Sequence, residues 1–189
     1  RQTLEQRKHP PYPMIPWHTQ ACYKLYAASR REAVADFIFN MNRLLVGIQQ
    51  VSPRAGEFLP ADACGRFLRP RKRAMGRPHV TATAVYLEGL ADAFALARAL
   101  EEEKLAKQFR RALVWGARCL LQHQIRDGVE TLLLPNPSRA RGGFRTRLTD
   151  PVIRIDNMQH AVCALAKLDA VLKDADYAAV HEEEKLRAE

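Results

Sequence analysis

Long uninterrupted apolar runs are missing from this chain, and no basic-then-apolar leader stands ahead of its first helical stretch. Neither a membrane span nor a signal peptide is therefore expected among these residues. Cysteine is scarce: Cys22, Cys64, Cys119 and Cys163 lie far apart, with no pair at metal-ligand spacing. They read as buried thiols rather than as a disulfide framework. The glycines build no phosphate loop. Gly142-Gly143-Phe144 lacks that loop's spacing and lysine, and reads instead as a turn needing positive φ, with Phe144 plugging the core. No nucleophile elbow, zinc-protease helix or dinucleotide fingerprint occurs, so neither a metal nor a cofactor is expected. A strand-rich region and a short sequence repeat are absent too, which leaves helices as the material of the fold.

What the chain has in excess is positive charge. Its 189 residues carry 30 Lys and Arg against 21 Asp and Glu, a formal net charge of +9, and arginine greatly outnumbers lysine. This length suits one domain with a real core. A composition of 47% hydrophobic and 27% charged residues excludes extended disorder. The basic residues gather in two loops. Arg66, Arg69, Arg71, Lys72, Arg73 and Arg77 form one group, and Arg139, Arg141, Arg145, Arg147 and Arg154 the other. The planar guanidinium fork matches carboxylates and phosphates, so an anionic ligand is expected. Nucleic acid is disfavoured, because these loops lack the interleaved aromatics of a single-strand platform.

Prolines up to Pro16 make an extended lead-in. Ala21, Cys22, Leu25 and Ala28 then follow helical spacing over 18–28, and Ser29 with Glu32 predicts a capping box for a second helix. That helix bears a single stripe from Val34 to Ile48 against a polar back, as expected of an outer, half-exposed element. Breakers crowd residues 51–78, which predicts a long loop. The third helix, roughly His79 to Leu100, is apolar nearly all round and should be buried; the fourth, with Leu105, Phe109, Leu113, Gly116 and Leu120 on one side, is amphipathic. A second irregular stretch covers about 126–155, with room for short strands. Asp156 and Gln159 form another capping-box pattern ahead of a fifth helix carrying Val162, Leu165, Leu168 and Leu172. The expected organisation is one domain over 1–177 and a charged, frayed tail over 178–189.

Buried helices one, three and five alternating with exposed helices two and four find their simplest closure as two concentric layers with the inner helices parallel. The N-termini of the inner helices then gather on one face, adding their positive dipole ends to Arg77, Arg145 and Arg154. At this point the residues resemble a known group. Pro16-Trp17-His18-Thr19-Gln20-Ala21, the stretch from His79 to Ala93 with Tyr86-Leu87-Glu88-Gly89, and Gly142-Gly143-Phe144 followed by Arg154-Ile155-Asp156-Asn157-Met158-Gln159-His160 look like the starts of inner helices in α/α-toroid proteins. They resemble the C-terminal domain of glucuronyl 5-epimerases and, more broadly, N-acylglucosamine 2-epimerase-like toroids. The fold implied is all-α, a partial (α/α) toroid of helical hairpins with two long irregular loops. Five helices do not close a six-hairpin ring, so remaining hairpins or a homo-oligomer would complete it.

The resemblance and the basic loops together imply a carbohydrate-active protein for an acidic sugar or polysaccharide, with epimerase-like proton transfer. Arg145 or Arg154 would clamp the substrate carboxylate, and His79, Tyr86, Glu88 and His160 would be the acid-base candidates. Trp17, His18, Arg77 and Asp156 would complete the substrate-binding face. Bland readings stand beside these. Each histidine could cap or pack locally; Glu88 and Asp92, one turn apart on a buried helix, could form internal ion pairs with a neighbouring inner helix; Asp156 suits a helix cap; Trp17 and Tyr86 suit packing as well as sugar stacking. Two rivals remain: a non-catalytic toroid domain that binds an anionic polymer or partner subunit, and a glycoside hydrolase or lyase using two opposed carboxylates such as Glu57 and Glu88.

Overall fold

The computed structural model describes residues 12–51, 64–67, 80–132, 134–148 and 150–188. Within them the chain is all-α: α1 (Ile15–Ser29), α2 (Glu32–Val46), α3 (Val80–Ala99), α4 (Glu103–Leu121), the single turn α5 (Pro137–Ala140), α6 (Ile155–Val171) and α7 (Asp174–Ala188). Two short antiparallel ribbons accompany the helices, β1 (Gln49–Gln50) with β2 (Arg66–Phe67), and β3 (Arg145–Arg147) with β4 (Asp150–Ile153).

The architecture follows from α3. With Val, Leu, Ala or Phe at most positions it offers water no face, and its buried residues run from Val80 to Ala97 around the whole helix. By length and composition it would pass for a membrane span, yet 78% of its most apolar window is buried inside the fold, so that surface is consumed by the core. Both α1 and α6 pack on α3. Their partners advance in step along the three axes: Thr81 meets Asn157, Glu88 meets His160, and Asp92 meets Lys167. On the other flank Pro16 sits against Gly89, and Gln20 shares Lys167 with Asp92. The three helices therefore run parallel. A glycine is required at 89, since a Cβ there would lie 2.5 Å from the Cα of Pro16. Behind this layer stand α2, packed on α1 and α3, and α4, packed on α3, α6 and α7.

Several expectations need correction. Helices α1 and α6 are not enclosed as α3 is: α1 buries Ile15, Pro16, Thr19 and Tyr26, α6 buries Asn157, Ala161, Ala164 and Leu168, and the rest of each is partly or fully open. The reason is geometric, because among the described residues α3 has a helix on each flank while α1 and α6 have one on a single flank. Neither capping box forms. Arg30 takes a left-handed conformation (φ 52) that ends α1, and Arg31 becomes the N-cap of α2, leaving Ser29 inside the last turn of α1. Strand β4 runs almost directly into α6, so Arg154 is its N-cap and Asp156 lies in the first turn. Cys163 is exposed rather than buried. The expected frayed tail is helix: α7 continues through it, and Asp176, Glu183 and Glu184 dock on Arg98, Arg110 and Arg118.

Candidate functional site

Glu88 and Asp92 face the same way from α3 because four residues make little more than one helical turn. A carboxylate out of water needs a partner. Helix α6 supplies both: His160 Nδ1 lies 2.7 Å from Glu88 Oε1, and Lys167 Nζ donates to Asp92 Oδ2 at 2.7 Å. The first pair is the drier, with side chains 14% and 7% exposed for His160 and Glu88. An ionised Glu88 is acceptor-only, so it holds the proton on Nδ1 and leaves Nε2 as the basic nitrogen of the ring. The edge of His160 meets Trp17 from α1, ring centres 5.8 Å apart at 68°. Trp17 itself is 45% exposed, so an aromatic face open to water adjoins the acid-histidine pair.

Lys167 has a different role. Its ammonium also donates to Glu88 O at 3.1 Å and Gln20 Oε1 at 3.3 Å, so its three N–H groups tie α1, α3 and α6 together. Burial pushes the Asp92 carboxyl above its ordinary value; the hydrogen bond and charge of Lys167, and the charge of Lys24, pull the other way. A further chain fixes the start of α6. Thr81 donates to Asn157 Oδ1 at 2.6 Å, Asn157 donates to Thr146 Oγ1 at 2.9 Å, and Thr146 donates to Val152 O at 2.8 Å. It binds the β3–β4 ribbon to α6 and α3, and with it the position of His160.

Of the residues singled out from the sequence, the structure brings Trp17, Glu88 and His160 together and separates others from them. His18 turns toward α2, its ring 6.3 Å from Phe37, since the next residue on a helix points about 100° away. Tyr86 is buried on the opposite side of α3, edge-on to Phe67 at 5.4 Å, and is core rather than acid or base. Arg145 donates to Gln122 O at 2.8 Å and Leu148 O at 3.2 Å and so braces the irregular stretch. Arg154 forks onto Asp156 at 2.9 and 3.0 Å, an exposed pair that holds the Asp156 carboxyl below the usual range, chiefly through that bond. Arg66 is buried and donates to Gln50 Oε1 at 2.8 Å. His79, Arg77, Glu57 and the rest of the first arginine group lie outside the described residues.

Of the candidate histidines, the described residues thus place His160 in a patch built by α1, α3 and α6 and turn His18 away from it. Cavities of about 350 Å³, beside Gln49, Lys107 and Arg111, and about 480 Å³, between α4, α6 and α7, both lie away from Glu88 and His160. Among the described residues no three His, Cys, Asp or Glu side chains gather as a metal site would require. Sequence reasoning missed Gln20 and Lys167. A signal for the second existed: Lys167 is the one Lys or Arg within α6, two turns past His160 and facing a helix with two buried acids. No family model, curated protein or solved structure matches the chain.

Proposed function

We propose that the chain is a section of an (α/α) toroid, with α1, α3 and α6 as inner helices and α2, α4 and α7 as outer ones, that exchanges a proton on an acidic sugar. The observation carrying this reading is the Glu88–His160 pair beside the open ring of Trp17. A sugar ring stacks on an indole through its C–H face, which would bring its ring carbons next to the imidazole. With Glu88 holding Nδ1–H, Nε2 takes the proton from the carbon next to a carboxylate. The electron pair moves into that carboxylate, and the imidazolium returns a proton after exchange with water. Lys24 on α1, whose charge reaches Asp92, and Arg154 at the head of α6 are the cations that would offset the charge developing on the substrate. Inversion needs a second acid on the other face of the sugar; His79, expected for acid-base work, lies outside the described residues.

Proton NMR of uronate-containing oligosaccharides incubated with the protein in D2O tests this. Deuterium should enter at the carbon bearing the carboxylate, and His160→Gln or Glu88→Gln should slow its entry by about 100-fold or more, the usual weight of a general base. Incorporation that continues at the wild-type rate in His160→Gln refutes the assignment. The rival reading, a binding domain for anionic polymer, draws on the exposed Arg139 and Arg141 of the second arginine group. It is favoured instead if the wild type exchanges nothing and both variants retain polyanion affinity that high salt removes.

A further inference from the structure

Helices α4, α6 and α7 line a cavity of about 480 Å³ that the acid-histidine patch does not use. Its floor is apolar: Val114, Ala117 and Leu121 share one face of α4 at helical spacing, and Leu165 and Leu168 meet them from α6. The β1–β2 ribbon and Gly65 beside it reach α4 at other groups, Ala112 O and Trp115 O, and line none of the cavity. Every lining residue is among the described ones. A hollow of this size, with a mostly apolar wall and a few polar groups, is of the kind that holds a small organic molecule.

Its polar side chains, Arg118, Asp169 and Tyr177, are not equivalent. Arg118 is engaged within the fold: it donates twice to Glu184, at 2.8 and 2.9 Å, and its guanidinium lies 5.1 Å from the centre of the Trp115 ring. Asp169 is exposed in the last turn of α6, and among the described residues its carboxylate has neither an ion pair nor a hydrogen bond. Lys173, four residues on, stands beyond the end of that helix and is not bonded to it. Tyr177, 41% exposed, opens its ring at the same rim. Burial, and then the charges of Asp169, Asp174 and Asp176, raise its hydroxyl above the ordinary value, so the ring is neutral and stands in a negative field. Asp176 has its own partners in Arg98 and Arg110. What remains unmet at the rim is one carboxylate beside one aromatic ring, the two features that receive an ammonium group.

We propose that this cavity binds a protonated amine with an apolar body, the body against Leu121, Leu165 and Leu168 and the ammonium between the Asp169 carboxylate and the Tyr177 ring. An anionic ligand is disfavoured although the chain as a whole stands at +9, since the arginine at this cavity already has its carboxylate. An uncharged ligand of the same shape would fill the hollow but leave Asp169 unmatched. The cavity lies away from Glu88 and His160, so amine binding stands or falls independently of the sugar chemistry.

Chemical-shift titration of the isotope-labelled full chain with phenethylamine tests it, against phenethyl alcohol and hydrocinnamate as uncharged and anionic molecules of nearly the same shape. The amine should move the amide signals of 114–121 and 165–169. It should bind about 3- to 30-fold more tightly than the alcohol, the joint weight of an exposed charge contact and an ammonium-ring contact, with hydrocinnamate the weakest. Asp169→Asn should bring the amine close to the alcohol's affinity, and high salt should narrow the gap in the wild type. Leu165→Trp, which fills the hollow from a partly exposed position, should abolish binding of both; Leu121→Phe is a second filling variant should the first misfold. Equal affinity for amine and alcohol, an amine that binds Asp169→Asn unchanged, or a preference for hydrocinnamate overturns the proposal. So does an absence of shifts at millimolar amine, and so does binding that both filling variants retain.

Discussion

Between α3 and α6 Glu88 faces the imidazole of His160 and Asp92 faces Lys167 across a narrow seam; between α4 and α7 Arg98, Arg110 and Arg118 spread over Asp176, Glu183 and Glu184 nearer the surface. The first arrangement fixes where Glu88 and Asp92 sit, since each acid meets one side chain of α6 and is largely out of water. The second tolerates rearrangement, because Arg110 reaches both Asp176 and Glu183, and Arg98 is nearly half exposed. Breaking a seam of the first kind should therefore cost more. Lys167→Met leaves Asp92 without the cation bonded to it and Gln20 Oε1 without that donor, a loss of about 2–3 kcal/mol, discounted for the third of Lys167 that remains in water. Urea denaturation measures it. A loss no greater than that of a surface arginine would erase the distinction between the seams.

At the outer seam Arg118→Ala removes a 2.8 Å contact to Glu184 and a guanidinium 5.1 Å from the centre of the Trp115 ring. Exposed pairs and exposed cation–ring contacts contribute little each, so the combined cost should stay near 1 kcal/mol and shrink in salt. The same denaturation repeated at high ionic strength sharpens the contrast. The Lys167→Met loss should hold there while the Arg118→Ala loss fades, and a Lys167→Met loss that fades equally would mean that water reaches both seams alike.

The inner seam was half legible in the sequence. That Glu88 and Asp92 share a face follows from helical spacing, and that each needs a partner follows from the apolar residues around them. Which partner, and from which helix, depends on the parallel order of α3 and α6, which no local pattern encodes. The same limit explains Trp17 and His18. Both stand at the head of α1, but only the crossing of α1 over α3 decides that the indole meets His160 while the imidazole turns to Phe37. Arg145 was ambiguous for another reason. A guanidinium in an irregular stretch can bind a ligand or brace backbone carbonyls, and the sequence holds no record of where Gln122 O and Leu148 O lie. The Ser29 capping pattern failed because Arg30 adopts a left-handed turn and shortens the connection, and the Asp156 pattern because β4 runs on to Arg154, which becomes the N-cap and leaves Asp156 in the first turn. Burial of α3 was readable throughout, since apolarity on every side admits one outcome.

The smallest expected effect bears on why Asp92 is charged at all. Its carboxyl is raised above 3.8 by burial despite the bond to Lys167, so the folded state binds its proton more tightly than the unfolded chain does. The stability this group contributes is then fully present below 3.8 and is lost as pH rises through its higher folded value. Other carboxylates titrate in the same range and hide it, so the measurement is a difference. Asp92→Asn keeps an acceptor for Lys167 and removes the titration. The melting temperature of the wild type minus that of Asp92→Asn should fall as pH is raised from 3.8 toward neutrality, and then stay level. Lys167→Met should strengthen the effect: with the cation gone, desolvation acts on Asp92 unopposed by its main partner, so the cost of that variant grows with pH. A wild-type advantage that instead rises with pH would show the Lys167 bond outweighing desolvation, and would make the inner seam an ordinary stabilising ion pair like those of α4 and α7.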